Sequence, residues 1–287
     1  LRLSPQFYRD KNGVHSVGEG GLPLSMKQFM PGALRIIEGM FGGGSKTVPE
    51  GVETEYQYCT AIPIGTAIAQ SWDTGFARVC GDIVGDEMER MGIHLWLAPA
   101  MNIHRSVLCG RNFEYYSEDP LISGNMAAAV TKGVQSHPDC AVTIKHYAAN
   151  NQETNRNHNN SCMSERALRE IYLKGFGICV REAAPLAVMT SYNLLNGTHT
   201  SESRGLIMDY LRAEQGFDGI VMTDWVIAAA SLGEKFKYRQ ADAARVAAAG
   251  GDLFMPGSQS DFNSVSKAVS RGELNREQLE INATRVL

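Results

Sequence analysis

The stretch Gly219-Ile220-Val221-Met222-Thr223-Asp224-Trp225 constrains this chain more than any other. A continuous apolar run with a β-branched pair is the pattern of a strand buried on both faces, and such strands belong to parallel sheets covered by helices. Gly216, just before it, reads as a helix stop. The run then ends abruptly at a carboxylate and an indole. The carboxyl ends of strands are where (β/α) barrels and open α/β sheets keep their chemistry, so Asp224 is the first candidate for it. Its plainer role would be to cap the helix that follows.

Apolar runs recur at 62–69, 93–98, 141–147, 187–192, 219–223 and 252–255, with segments of helical period between them. Asp73 is expected to cap a helix that buries Phe76, Val79, Ile83, Met88 and Met91 and stops at Gly92. Asp119 before Pro120 marks a second start, since Pro at the first helical position loses no intrahelical bond. Ser164 opens a third helix, with Leu168, Ile171, Tyr172, Phe176, Cys179 and Val180 on one side. Ser203 opens a fourth, with Leu206, Tyr210 and Leu211, closed by Gly216. Segments near 239–249 and 260–271 continue the rhythm. Six strand-helix units without a Gly-rich dinucleotide turn predict the α/β class. Polar clusters after nearly every strand favour a (β/α)8-type TIM barrel over an open sheet, irregular or incomplete at its N-terminal strands. The barrel is assigned to 61–287. Residues 1–60 read as an irregular segment in which Gly42-Gly43-Gly44-Ser45 resembles a flexible linker. With Lys46 and Thr47 this stretch misses a phosphate loop, because Ser45 stands where Gly is required.

Composition narrows the function classes. The 287 residues are 44% apolar and 20% charged, which is ordinary globular usage. A net charge of −4 gives no support for nucleic-acid or membrane-surface binding. No apolar run approaches the roughly 18 residues of a membrane span. The chain opens on Leu1 rather than Met, so the lack of a signal sequence says little. Cys59, Cys80, Cys109, Cys140, Cys162 and Cys179 form no C-x-x-C pair and read as free thiols of a reducing, cytoplasmic compartment. On that reading the N-x-S/T triplets at Asn159, Asn196 and Asn282 carry no sugar.

The residues after each strand carry the functional signal. Asn102 and Gly110-Arg111-Asn112-Phe113-Glu114 follow the 93–98 run, and Lys145 and His146 follow 141–144. Tyr192 follows 187–190, and Asp224 and Trp225 follow 219–223. Parallel strands would bring all of these to one rim. The mixture suits a sugar: charged and amide groups bond hydroxyls, an indole packs on the apolar ring face, and a carboxylate meets the anomeric carbon. A nearby Arg or Lys would hold Asp224 ionised for attack. Against this, Lys145 and Arg111 could form structural ion pairs, His146 could be a core histidine, and Tyr192 and Trp225 could simply pack. The polar stretch Asn150–Asn160 is a loop on the same rim, either solvated surface or a substrate-side lid. His146 and His158 are not at metal-ligand spacing, and no carboxylate-rich calcium loop is present, so no metal and no cofactor are expected.

Together these motifs resemble glycoside hydrolase family 3, the β-glucosidase family. The resemblance rests on Gly110-Arg111-Asn112-Phe113-Glu114 with Ser117-Glu118-Asp119-Pro120, Lys145-His146-Tyr147, Met189-Thr190-Ser191-Tyr192-Asn193, and Gly216-Phe217-Asp218-Gly219 through Thr223-Asp224-Trp225. It runs from about Pro63 to the end, through Asp252-Leu253-Phe254-Met255-Pro256-Gly257. Lys145 to Glu153, Asn155-Arg156 and Ser164–Glu170 are most similar to the branch whose α/β sandwich precedes the barrel. Gly18-Glu19-Gly20 and Pro31-Gly32 faintly echo the segment leading into the barrel there. The resemblance implies a retaining glycosidase acting on β-glucosides, or next on β-xylosides, with Asp224 as the nucleophile. It implies that Arg111, Lys145 and His146 bind sugar hydroxyls, Tyr192 sits beside the nucleophile, and Trp225 walls the site. Its substrate would be a β-linked glucoside or oligosaccharide, and its partner a sandwich domain or second subunit.

Two departures stand out. The family's Asp-Gly-Pro segment near the start of the barrel, whose Asp binds sugar, has no counterpart in 33–60. The general acid/base, usually a Glu on or near the sandwich domain, is not identifiable. Single-domain relatives use a His-Asp pair after the Lys-His strand, but His158 has no neighbouring Asp. Glu114 and Glu153 are weak candidates for that role. A barrel that binds sugar without turning it over is the competing reading. A sugar-phosphate barrel is weaker still, since Gly250-Gly251 precedes its strand rather than following it.

Overall fold

The computed structural model describes residues 6–10, 13–16, 51–52, 55–56, 59–225 and 237–287. The Gly42–Ser45 stretch, the near-miss phosphate loop, the Gly18–Gly20 and Pro31–Gly32 echoes and most of 33–60 lie outside these residues. The chain forms two compact units, Leu1–Ala61 with Glu87–Ile93, and Ile62–Asp86 with His94–Leu287. In the first, β1 (Gln6–Asp10) pairs antiparallel with β2 (Gly13–Ser16) and with β3 (Glu55–Tyr56).

The second unit is an α/β fold of the TIM-barrel type. Strands β4 (Leu95–Trp96) and β5 (Ala141–Tyr147) pair in parallel; β6 (Asn160–Ser161) belongs to a separate small sheet described below. Next to β5 runs β7 (Ala187–Thr190), and next to β7 runs β10 (Ile220–Met222), again all parallel. Single bridges from Ala100 to Lys145 and from Met222 to Leu253 continue the succession. Lateral register sets the faces. Thr143, Ala187 and Ile220 align, as do Lys145, Met189 and Met222. Side chains alternate along a strand, so these share one face, where Ala187, Met189, Met222 and Met255 cluster with Leu95, Leu97 and Trp225. The opposite face presents Ile144, Val188 and Val221, all buried. Above the carboxyl ends, β6 pairs with β8 (Leu194–Leu195), which forms a hairpin with β9 (Thr198–His199).

The helices are capped largely as their sequences require. Helix α1 spans Gly65–Gln70 and α2 Thr74–Met91, with the Asp73 carboxylate accepting from Phe76 N at 3.0 Å. Asp119 accepts from Leu121 N at 2.7 Å to start α3 (Pro120–Val134). Ser164 caps a helical turn that passes through a π-helical stretch, Leu168–Tyr172, into α4 (Lys174–Ala183). Gly205–Glu214 is π-helical too, with Ser203 at its start and Gly216 at positive φ after it. Helices α5 (Ala243–Ala248), α6 (Gln259–Ser270) and α7 (Arg276–Val286) follow, capped by Asp242, Ser258 and Asn275. Among the described residues no helix is long and apolar enough to cross a membrane.

Several sequence expectations need correction. The 62–69 run is not a strand but leads into α1. A short apolar run does not distinguish strand from buried helix, and tertiary contacts decide: Thr66 Oγ1 donates to Asn112 O at 2.6 Å and to Tyr115 O at 3.0 Å. Helix α2 does not bury Phe76 or Val79, which are 38% and 53% exposed. Its buried positions are Ala77, Cys80, Gly81, Gly85 and the expected Met88, and the small ones let it lie against α3 at backbone distance. A Cβ on Gly81 would sit 2.1 Å from Val130 O, and one on Gly133 2.2 Å from Arg78 O. Ile171 is exposed rather than buried, since the π-helical stretch shifts the phase and Leu173 takes the interior position. Among the described residues the 252–255 run makes one bridge, from Leu253 to Met222. Helix α7 has no counterpart in the sequence reading, because its composition is mostly polar.

A buried ion network anchors β10 from below. Asp252 Oδ2 accepts from Arg212 at 2.6 Å and from Val221 N at 2.7 Å, while Oδ1 accepts from Arg285 at 3.1 Å. Removing one partner of such a network is costly because it strands the others.

The close approach of α2 and α3 yields a stability prediction. Gly133→Ala should raise helix propensity by about 1 kcal/mol, yet its methyl group meets three backbone atoms of α2, at Arg78, Gly81 and Asp82, within 3 Å. Overpacking of that kind costs roughly 1–3 kcal/mol and should win. Thermal unfolding should show a lowered Tm; an unchanged or raised Tm would mean the two helices separate without loss.

Candidate active site

The site grows out of the carboxyl end of β5. Its backbone is cis at Lys145–His146 and Tyr147–Ala148, and the pairing with β7 shifts register between Lys145 and Tyr147. His146 is buried, and Asn102 fixes its chemistry. The Asn102 Nδ2 donates to His146 O at 2.8 Å, which orients the amide. Its Oδ1 then accepts from His146 N at 2.9 Å and lies 3.2 Å from Nδ1. An amide oxygen only accepts, so Nδ1 carries the proton and Nε2 presents a lone pair. Burial first, then the charges of Arg111, Lys145 and Arg156, hold the His146 pKa well below 6.5, which keeps the ring neutral near pH 7.

Asp224 faces that lone pair. It is 6% exposed, and its Oδ2 lies 3.6 Å from His146 Nε2. Oδ1 accepts from Trp225 N at 2.7 Å, while Oδ2 has no hydrogen-bond donor among the described residues. A buried carboxylate oxygen without a donor is rare and points to a functional position. Burial raises the Asp224 pKa, opposed by the Trp225 N–H and by the charges of Arg156, Lys145 and Arg111. Two acceptors side by side, one of them anionic, favour a hydroxyl donor or an electrophilic carbon placed over them.

Around this pair stand two clamped sets of cations. Arg111 binds Glu114 Oε2 through both Nη2 and Nε, at 2.6 and 2.7 Å. Lys145 Nζ lies 3.2 Å from Oε1 of the same residue. Arg156 donates to Glu153 Oε2 at 2.8 Å, and Asn150 donates to Oε1 at 3.0 Å. The Arg156 guanidinium also lies 4.1 Å from the centroid of the Tyr192 ring. Tyr192 OH donates to Trp225 O at 2.6 Å, and its phenol pKa is raised, by burial first and then by the Asp224 charge.

All six candidates, Arg111, Lys145, His146, Tyr192, Asp224 and Trp225, therefore come to one place. The sequence reading did not assign roles to Arg156 or Asn102. Arg156 was legible as the partner of Glu153 three residues earlier, in a loop too polar to be core. His158 closes the short turn that begins at Arg156, and its Nδ1 accepts from Lys237 N at 3.0 Å. Glu114 and Glu153 both accept from cationic donors, the bonding of an ionised acceptor rather than a proton donor. Among the described residues no three His, Cys, Asp or Glu side chains converge as a metal site requires. A 360 Å³ cavity between α5, α6 and α7 lies apart from these residues.

A parallel barrel that ends one strand in a buried carboxylate, ringed by cations, amides and aromatic rings, is the build of a carbohydrate-processing domain. The chain belongs to glycosyl hydrolase family 3, its residues 45–287 matching the N-terminal domain of that family. It is 48% identical to Beta-glucosidase A of Butyrivibrio fibrisolvens over 63% of this chain and 21% of that protein. Probable beta-glucosidase K of Emericella nidulans is 38% identical over 91% of this chain and 29% of its own length. Among solved structures, beta-glucosidase 3B from Thermotoga neapolitana in complex with glucose superposes with a TM-score of 0.73 at 42% identity, covering 82% of this chain and 32% of that one. The chain thus spans between a fifth and a third of these relatives.

The buried carboxylate predicts a trade of stability against function. Because the folded-state pKa of Asp224 is raised, the unfolded chain ionises it more readily, and stability falls as pH rises through that pKa. Asp224→Asn removes this cost and turns an amide N–H toward the bare Nε2 of His146. At pH 7 its Tm should rise by about 2–4 °C, the size of roughly 1 kcal/mol in a chain this long. The gain should shrink as pH falls toward the carboxylate range; a lower Tm at pH 7 would contradict the burial argument.

Proposed function

We propose that this chain is the nucleophile-bearing barrel of a retaining β-glucosidase, with β-glucosides as first substrate class and β-xylosides second. The observation that carries the reading is Asp224 Oδ2: buried, without a donor among the described residues, and within the field of Arg156, Lys145 and Arg111. In this reading Oδ2 attacks the anomeric carbon, the leaving group departs with a proton, and water later cleaves the glycosyl ester. Arg111, Lys145, Arg156 and His146 bind the sugar hydroxyls. Tyr192 supports the Trp225 backbone beside the nucleophile, and the Trp225 indole walls the site. Relatives that are β-glucosidases, one of them solved with glucose, support the choice of sugar.

The acid/base is assigned outside these residues, to an α/β sandwich domain or a second subunit. Leaving-group protonation of that kind is worth about 10²–10⁴-fold in rate. Glu114 and Glu153 are unsuited to it because both already accept from Arg or Lys.

The test separates nucleophile from acid. A 2-deoxy-2-fluoro-β-glucoside with an activated leaving group needs the first and little of the second. Intact-mass measurement should show one stable adduct, mapping by peptide digestion to Asp224 and missing in Asp224→Asn. Glucose binding without any adduct would favour the non-catalytic sugar-binding reading instead.

A further inference from the structure

We propose that Glu114 is a positioning residue for sugar recognition, holding Arg111 and Lys145 in a fixed fork and keeping their charge from acting in full on Asp224. This rests on the glycosidase reading above. Among the described residues Glu114 is the one bonded to both cations, which come from two different parts of the fold. It shares a tight turn with Arg111, since Glu114 N donates to Arg111 O at 2.9 Å, whereas Lys145 comes from β5. The carboxylate thus ties the loop to the strand through both of its oxygens.

The turn itself is held rigidly. Helix α1 approaches so closely that a Cβ on Gly65 would lie 2.4 Å from Glu114 O. Thr66 Oγ1 donates to Asn112 O and Tyr115 O on either side. With its backbone fixed, Glu114 acts as a bracket rather than a mobile counter-ion. The side chain is only 24% exposed, and those of Arg111 and Lys145 are less so, which limits screening by water. Without the bracket, two long cationic side chains would recover rotamer freedom that binding must again remove.

Charge is the second part of the argument. Arg111 and Lys145 both favour the ionised form of Asp224. Glu114 offsets part of that field, so replacing it with a neutral isostere should leave Asp224 more readily ionised. A purely structural residue would not move that property.

The experiment is time-dependent labelling by the 2-deoxy-2-fluoro-β-glucoside from pH 4 to 7, with wild type, Glu114→Gln, Glu114→Asp and the exposed-site control Glu170→Gln. Glu114→Gln should raise the half-saturating reagent concentration about 10-fold, the loss of one charge-assisted contact, while the limiting rate changes less than about 3-fold. Its acidic limb should move to lower pH, and the control should match wild type. Glu114→Asp keeps the charge but is too short to hold both cations. It should weaken half-saturation with the acidic limb unmoved, and it carries the test if Glu114→Gln does not fold. Unchanged half-saturation and an unchanged limb in Glu114→Gln would overturn the proposal while leaving the nucleophile reading intact. If wild type is not labelled, the glycosidase reading fails first. Glucose titration then decides: about 10-fold weaker binding in Glu114→Gln supports the bracket, and equal binding or none in either protein overturns it.

Discussion

Everything in this unit bears on keeping one carboxylate out of water. Asp224 is buried with only one of its oxygens bonded, and an isolated ionised carboxylate in such a place is strongly disfavoured. Its neighbours moderate this cost without removing it. One backbone N–H bonds Oδ1, and three cations act at a distance while their own hydrogen bonds go to other carboxylates. His146 contributes by staying neutral. Were it protonated, it would pair with Asp224 and cover the oxygen that is otherwise open. The Asn102 amide prevents a second kind of capture, because its oxygen accepts from Nδ1–H, which keeps the ring proton there and leaves Nε2 with nothing to donate.

Such an arrangement needs a support that does not yield. Beneath β10 the Asp252 carboxylate binds Val221 N directly, and Arg212 and Arg285 hold it from two other elements. The strand that ends in Asp224 is therefore fixed by a charged bond to its own backbone. On the other side of the rim, α1 holds the Arg111–Glu114 turn by contacts that only glycine permits at Gly65. Distances of a few ångströms in the site thus depend on close backbone packing well away from it, a common requirement of preorganised sites.

What could be read from the sequence follows the same division. Asp224, Tyr192 and Arg111 were legible because they follow strands, and Lys145 and His146 because they lie in the last residues of β5; a parallel sheet leaves little choice about where strand ends go. Helix starts at Asp119, Ser164 and Ser203 were legible because caps act within three residues. Phe76 and Val79 misled because apolar periodicity assumes that large side chains fill the interface. Here two glycines, Gly81 and Gly133, bring helix backbones together, so small residues line the interface instead. The 62–69 run misled because contacts with a loop some 45 residues away decided helix over strand. Arg156 and Asn102 went unassigned since their roles exist only once loops fold back over the strand ends. Glu114 was noticed for its acidity; its bonding to Arg111 and Lys145 depends on geometry no spacing reveals.

The same bonding bears on what the rim can select. Arg111, Lys145 and Arg156 would by themselves form an anion site, and Arg forks suit phosphate especially well. Each of these cations already has a carboxylate partner, Glu114 for Arg111 and Lys145 and Glu153 for Arg156. With Asp224 counted, three cations face three carboxylates among the described residues of the rim, whose charges largely cancel. A phosphate would have to displace an internal ion pair and lie near the Asp224 charge. A neutral polyol needs neither, since hydroxyls can donate to Asp224 and His146 Nε2 and accept from the cations' remaining N–H groups. In the proposed glycosidase, charge cancellation among these residues would favour an uncharged sugar over a phosphorylated one, using the very cations that would otherwise favour the phosphate.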